Sequence, residues 1–301
     1  MDDTIRVFSG RTFSPKDIEL IQWVRKTYPK LSRSELAATI CESLDWVTPA
    51  GRPKLQQCIA FLDELESEQI IKLPPKQVNM IRSGLPGKAV MEFDTNEISG
   101  EIKDYLPIEL TIANTAKDQK RWRSYVDQYH MLGCQRAFGS RLRYFIRSGE
   151  KELGCLQFSA SSWALEEREN WIGWSMEDKK ERLHLIVNNS RYLIFPWVKI
   201  KNLASKALSL VARQIQDDWL REFCYAPVLM ETFVDREHFH GTCYKAANWT
   251  HLGQTKGLGR ASRSKRPSLS KKDIYVYPLQ KDFRACLKGE KPYKVVNPDE
   301  R

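Results

Sequence analysis

The chain begins with three stretches in which apolar residues recur at helical spacing. In FSPKDIELIQWVRKTYP, Ser14 stands as an N-cap, Pro15 takes the first helical position, Asp17 lies three residues after the cap, and Ile21, Val24 and Tyr28 repeat at helical spacing. LSRSELAATICESL offers a second capping box from Ser32 and Glu35, with a staple from Leu31 to Leu36 and an apolar row at Leu36, Ile40 and Leu44. KLQQCIAFLDELESEQ puts Leu55, Ile59, Leu62 and Leu65 on one face, and IIKLPP then predicts a short strand stopped by proline. Three helices and a strand are the order of a winged helix-turn-helix-like module, assigned to residues 1–76. The third helix would enter a DNA groove with Arg52 and Lys54 touching phosphates, although Asp63, Glu64, Glu66 and Glu68 on the same helix oppose that contact and suit a protein-docking module equally well.

Residues 77–104 mix Pro, Gly and charge without a sustained period, which predicts a linker holding at most one short strand. From Leu106 the pattern alternates between extended and helical runs. IELTIAN, then the helical AKDQKRWRSYVDQYHML, then RLRYFIRS and KELGCLQFSAS joined at Gly149 predict a strand, a helix and a β-hairpin. A helix over SMEDKKERLHLIVNN leads into the strand RYLIFPWV, and NLASKALSLVARQIQDDWLREF predicts a long helix. APVLMETFV, a short helix in HFHGTCYKAANW, THLGQT and a closing strand DIYVYPL complete a domain over 105–280, with a basic loop at 256–272 and a tail at 281–301.

Composition narrows the function classes. A hydrophobic share of 42%, nine Trp and a mean hydropathy of −0.51 describe a folded globular chain without a membrane span. The N-terminus MDDTIRVFSG lacks the cationic start and apolar core of a secretory signal, so a cytoplasmic location is expected. The seven cysteines are scattered and form no C-x-x-C pair, which argues against a disulfide framework or a zinc ribbon. His238, His240, Cys243 and His251 are the one candidate metal cluster, with spacing that matches no common zinc module, and no metal is assigned. The glycines Gly253, Gly257 and Gly259 are followed by no Gly-Lys-Ser/Thr, which excludes a P-loop.

The net charge of +10 points to a polyanionic partner. Its distribution is uneven. Basic and acidic residues balance over residues 1–76, whereas KGLGRASRSKRPSLSKK carries Lys256, Arg260, Arg263, Lys265, Arg266, Lys271 and Lys272 with no acid and no aromatic. Such a strip binds phosphate backbones, DNA or RNA, more readily than it stacks on bases.

The order of elements from Leu106 to Leu279 resembles the acyltransferase fold of the GNAT superfamily. That resemblance implies a strand that splays from its neighbour before the central helix, with acetyl-CoA or another acyl-CoA in the gap and its pyrophosphate on the amides that start the helix. The matching positions are Lys199, Lys201, Asn202, Leu203, Ala204 and Ser205, but VKIKNLASKAL lacks the family's glycines. CYKAANWTHLG is similar to the late element whose tyrosine protonates the departing thiolate, so Tyr244 inherits that role, and Glu231, Asp235 and His130 are candidate general bases.

Longer matches narrow the family. YHMLGCQRAFGSRLRYFIRSG, LGCLQFSASSWALEERENWIGW, NNSRYLIFPWVKIKNLASKAL and LMETFVDREHFHGTCYKAANWTHLGQTKGLGR together resemble the DruA family of Druantia anti-phage defence proteins, over about Phe13 to Leu279. The resemblance implies a bacterial role alongside other subunits, one of them helicase-like. The expectation is therefore an α/β (α+β) protein, with a winged-helix-like module followed by a GNAT-like mixed sheet flanked by helices. It would act as a nucleic-acid-engaging and partner-binding defence subunit, and a homo-oligomer is compatible with this. The alternative is an acyl-CoA-dependent N-acyltransferase acting on a nucleobase or a protein amine.

Overall fold

The computed structural model describes residues 6–9, 11–29, 31–47, 53–75, 91–134, 140–163, 165–255 and 270–296. At the front, β1 (Arg6–Phe8) and β2 (Arg11–Phe13) form a small hairpin ahead of three helices, α1 (Pro15–Thr27), α2 (Arg33–Ser43) and α3 (Leu55–Ser67). Both predicted capping boxes form. The Ser14 and Ser32 hydroxyls accept from the amides of Asp17 and Glu35, whose carboxylates accept from the two cap amides in return. The module closes on an aromatic core in which Phe13 stacks on Phe61 at 4.2 Å and Trp46 packs edge-on against both.

The strand predicted over IIKLPP is not there. Its backbone groups are satisfied by side chains instead: Gln22 donates to the Ile70 carbonyl, Arg25 to Lys72 and Arg33 to Pro74, while Glu66 accepts from the Leu73 amide. With its polar groups already met, the run needs no partner strand and forms no wing.

The body is a seven-stranded mixed sheet. Its strands are β4 (Ile108–Ile112), β5 (Arg141–Ser148), β6 (Lys151–Ala160), β7 (Ile186–Ile194), β9 (Leu229–Asp235), β10 (Thr250–Gln254) and β11 (Lys272–Pro278), in the spatial order β10-β11-β9-β7-β6-β5-β4. Every neighbouring pair is antiparallel except β7 with β9. The last strand in sequence is therefore not the edge, because β11 inserts between β9 and β10. A short parallel pair, β3 (Ile98–Gly100) with β8 (Val198–Ile200), ties the stretch ahead of the sheet to the residues just before the long helix. Close approach requires glycine at Gly154 of β6, where a Cβ would lie 2.3 Å from the Leu193 carbonyl oxygen.

Successive strand residues point to opposite faces, which sorts the helices. Arg143 packs on Trp122 and Phe145 on Tyr125 of α4 (Ala116–Tyr129), while the Tyr144 hydroxyl between them donates to Asp218 of α7 (Leu203–Phe223). So α4 and α7 cover opposite faces. Two short helices, α5 (Glu166–Ile172) and α6 (Met176–Arg182), precede β7; α8 (Thr242–Ala246) follows β9, and α9 (Phe283–Leu287) lies after the last strand with Phe283, Cys286 and Leu287 buried. The helix predicted to run to Asn189 ends at Arg182, and β7 starts at Ile186. Leu185, Ile186 and Val187 are fully buried, and Ile186 and Val187 pair with Leu229 and Met230, so the apolar run is spent on the sheet.

Candidate functional site

The one parallel seam of the seven-stranded sheet is where it opens. β7 and β9 are in register from Ile186 with Leu229 to Asn189 with Thr232, and beyond that β7 follows β6 while β9 follows β11. Side chains bridge the point of divergence. The Tyr244 hydroxyl donates to Asn189 Oδ1 at 2.7 Å, Thr232 Oγ1 donates to the Asn189 carbonyl at 3.1 Å, and the Asn189 amide donates to the Gln157 and Arg191 carbonyls. Tyr192 meets Tyr244 edge-on at 6.2 Å, and its hydroxyl donates to the Ala204 carbonyl in the first turn of α7. Tyr244 is buried, stacked on Tyr275 at 5.8 Å. Burial, reinforced by neighbouring Cys243 and opposed by the Thr232 contact, pushes its phenol far above the ordinary range, and burial pushes the Cys243 thiol up to about 11. A phenol so raised, whose proton already bridges two strands, is a poor donor to a thiolate.

Glu231 lies on the other face. It is adjacent to Thr232 on β9, so its side chain points away from Tyr244, and the two candidate catalytic groups are separated by the sheet. There its carboxylate is fully buried: Arg168 of α5 donates to Oε2 at 2.9 Å, and the Ser161 hydroxyl donates to Oε1 at 2.6 Å. Arg168 also donates to Ser161 Oγ, to the Ser162 carbonyl at 2.9 Å and to Glu169 at 2.7 Å, and Glu169 in turn accepts from Trp174 and pairs with Lys179. Burial works against the guanidinium, but the Glu231 and Glu169 carboxylates outweigh it and hold Arg168 charged. Glu231 is thus a tie between β9 and α5, not a base open to a substrate. The other two base candidates are also committed. Burial, with Arg191 adding, pushes His130 down to about 4, and the Ser270 hydroxyl holds Asp235 below its ordinary range.

The start of α7 is the segment expected to hold an acyl-CoA pyrophosphate. Lys201 and Asn202 are exposed, Leu203 is buried, and Ala204 and Ser205 are half-buried. Asn202 takes the left-handed φ of 64° that a glycine adopts without strain, and its carbonyl accepts from Ser205 Oγ and from the Lys206 amide. Tyr192 ties this turn to the seam through the Ala204 carbonyl and its edge contact with Tyr244, and the turn itself lacks the glycines that let a backbone close on a pyrophosphate. The residues present do not fit the cofactor.

Of the predicted nucleic-acid contacts, Arg52, Lys256, Arg260, Arg263, Lys265 and Arg266 lie outside the described residues. Lys54 is the half-buried N-cap of α3; Asp63 and Glu66 on that helix are held by Arg33. Lys271 is exposed and Lys272 half-buried at the start of β11. The ends of the basic segment are pinned together: the Thr255 amide donates to the Lys272 carbonyl at 2.9 Å, the Lys272 amide to Thr255 Oγ1 at 3.1 Å, and Ser270 Oγ to Asp235 at 2.7 Å. Among the described residues no group of three His, Cys, Asp or Glu side chains is placed to hold a metal, and His251 instead meets Asp273 at 3.3 Å. No helix among them is long and apolar enough to cross a membrane.

Sequence reasoning missed Arg168, Ser161, Asn189 and Tyr192. Arg168 sits in the charged run EEREN, which reads as a solvated helix face, and only its tertiary placement reveals the buried pair.

A family model described as Druantia protein DruA matches residues 65–266, about two thirds of the chain. No curated protein sequence matches. Among solved structures, the microcin C7 self-immunity acetyltransferase MccE, in complex with acetyl-CoA and AMP, is 11% identical, with a TM-score of 0.30 over 46% of this chain and 61% of that one. The chain thus spans less than two thirds of that protein's length. Aminoglycoside acetyltransferase AAC(6')-Ib in complex with coenzyme A is 12% identical, with a TM-score of 0.36 over 57% and 94%. A Salmonella typhimurium acetyl transferase that modifies the N-terminal serine of ribosomal protein L7/L12 is 10% identical, with a TM-score of 0.34 over 57% and 95%. At these scores the likeness says nothing of a ligand or an activity for this chain.

Proposed function

We propose, from the premise that this chain belongs to the DruA family of Druantia proteins, that it serves that defence system as an accessory subunit which engages nucleic acid and docks partner proteins, without transferring an acyl group. The observation that carries this reading is the acid-free basic segment, which is fastened to one corner of the sheet by Thr255 just before it, bonded to β11, and by its own Ser270, bonded to β9. Each phosphate neutralised by such a segment steepens the salt dependence of binding by about 0.7 to 0.9 in the log-log slope. The front module, with balanced charge and with Asp63 and Glu66 of α3 held by Arg33, suits docking of a protein partner such as the helicase-like subunit better than contact with DNA.

Fluorescence anisotropy with DNA and RNA across a salt series tests the reading. Neutralising Arg263, Lys265 and Arg266 together is expected to flatten the slope by about 2 to 3. Binding that ignores salt, or ignores the triple substitution, would sink it. Calorimetric titration with acetyl-CoA supplies the other arm: no heat at millimolar ligand is expected, and micromolar affinity would restore the acyltransferase alternative.

A further inference from the structure

We infer that the turn after β9 is a stacking platform for an unpaired base, so that the nucleic acid engaged by this protein is single-stranded. The inference rests on the nucleic-acid reading above and adds to it what the basic segment lacks, an aromatic face. Among the described residues Phe239 is the one aromatic side chain that is exposed, at 55%, in a chain that at least half-buries every other described Phe, Tyr and Trp. It stands in the sequence Arg236-Glu237-His238-Phe239-His240, flanked by two exposed imidazoles, with the His238 ring 6.4 Å away.

The turn is built to hold its shape. The His238 and Phe239 amides donate to the Asp235 carbonyl at 3.3 and 2.8 Å, and the Glu237 amide donates to Asp235 Oδ1 at 3.1 Å. Its far end is fixed by Gly241, at φ 67°, where a Cβ would lie 2.6 Å from the Tyr275 hydroxyl. A platform held by its backbone loses little conformational freedom on binding. Asp235, the acceptor for all three amides, also accepts from Ser270, so the turn shares its anchor with a residue of the basic segment.

The charges on the elements that meet this turn suit a phosphate chain. Arg236 in the turn and Lys245 in the helix that follows it are exposed, and Lys272, half-buried, pairs with Asp235 across β9 and β11, next to the exposed Lys271. Asp273 is held between Arg236 at 3.7 Å and His251 at 3.3 Å, and Asp235 is engaged by Ser270, which leaves Glu237 as the remaining local carboxylate. An exposed ring amid cations is the combination that grips single strands, whose bases present a free π-face; a duplex hides those faces in its stack.

The test compares a labelled oligothymidylate of about 20 nucleotides with a duplex of equal length, at one low salt concentration, by anisotropy on the full chain. Tighter binding of the single strand is expected. Phe239→Ala should lower single-strand affinity about tenfold and leave the duplex unchanged, while Phe239→Trp should retain it. Phe239 is exposed, and coincident thermal melts would establish that each variant folds. Equal loss on both probes, or no loss on the single strand, would overturn the stacking platform while leaving nucleic-acid engagement standing. Failure of both probes to bind the unmodified protein would remove the broader reading and this one with it.

Discussion

Replacing Arg168 with leucine would leave the Glu231 carboxylate buried without its counter-charge, and a loss of about 3 to 5 kcal/mol is expected in guanidinium denaturation. Replacing both partners by leucine should recover most of that loss, because desolvating the pair costs nearly as much as their attraction returns. If Glu231 instead served as a base open to solvent, the single change would cost little and the double change would bring no rescue. Glu231 and Tyr244 were legible in the sequence as chemically capable side chains. Their separation by the sheet follows from strand alternation only once Thr232 is known to meet Tyr244, a contact between elements that no local pattern encodes. The same holds for Phe239. The sequence offers HFH only as the start of a short helical segment and as two candidate metal ligands, and only the burial of every other described Phe, Tyr and Trp to at least half marks Phe239 out.

Gly154 illustrates what decides the elements. Gly154→Ala would press a methyl group onto the Leu193 carbonyl, and a destabilisation of about 3 kcal/mol or more is expected by thermal melting followed by circular dichroism. A melt within experimental scatter of the parent would mean that β6 and β7 can part there at little cost. Strand and helix patterns with a single clear period came through well: RLRYFIRS is β5 in full, and the long predicted helix became α7 with its end at Phe223. Where the same residues satisfy two periods, the sequence misleads. LHLIV continues the helical row of α6 and also fits a buried strand, and the pairing partner on β9 decides between them. IIKLPP failed for another reason: side chains of α1, α2 and α3 take its hydrogen bonds in place of a partner strand.

At the scale of the whole molecule, His184 marks the joint between the front module and the body. Its ring lies 4.6 Å from Trp23 of α1, 4.8 Å from Tyr225 and 5.5 Å from Tyr293, and a second tie across the joint pairs Arg141 of β5 with Glu35 of α2 at 2.7 Å. Burial, opposed by the Glu181 carbonyl, pushes this imidazole from 6.5 down to about 3. Because the folded value is depressed, the unfolded chain takes up the proton first. Stability is fully present above about pH 6.5 and declines as the pH falls toward about 3, by at most about 1.4 kcal/mol per unit from this group. Denaturation midpoints measured over that range should fall less steeply for His184→Phe than for the parent; parallel curves would show that the imidazole is not what acid disturbs. Tyr225 touches more than the joint. Its ring meets Tyr28 of the front module at 6.0 Å, and its backbone bridges to Val295, next to the Lys294 carbonyl that accepts from the Ala226 amide. Residues from near the two ends of the described chain therefore share one hub, and a proteolytic cut ahead of Phe283 would register as faster amide hydrogen exchange in α1, a segment that the cut never touches.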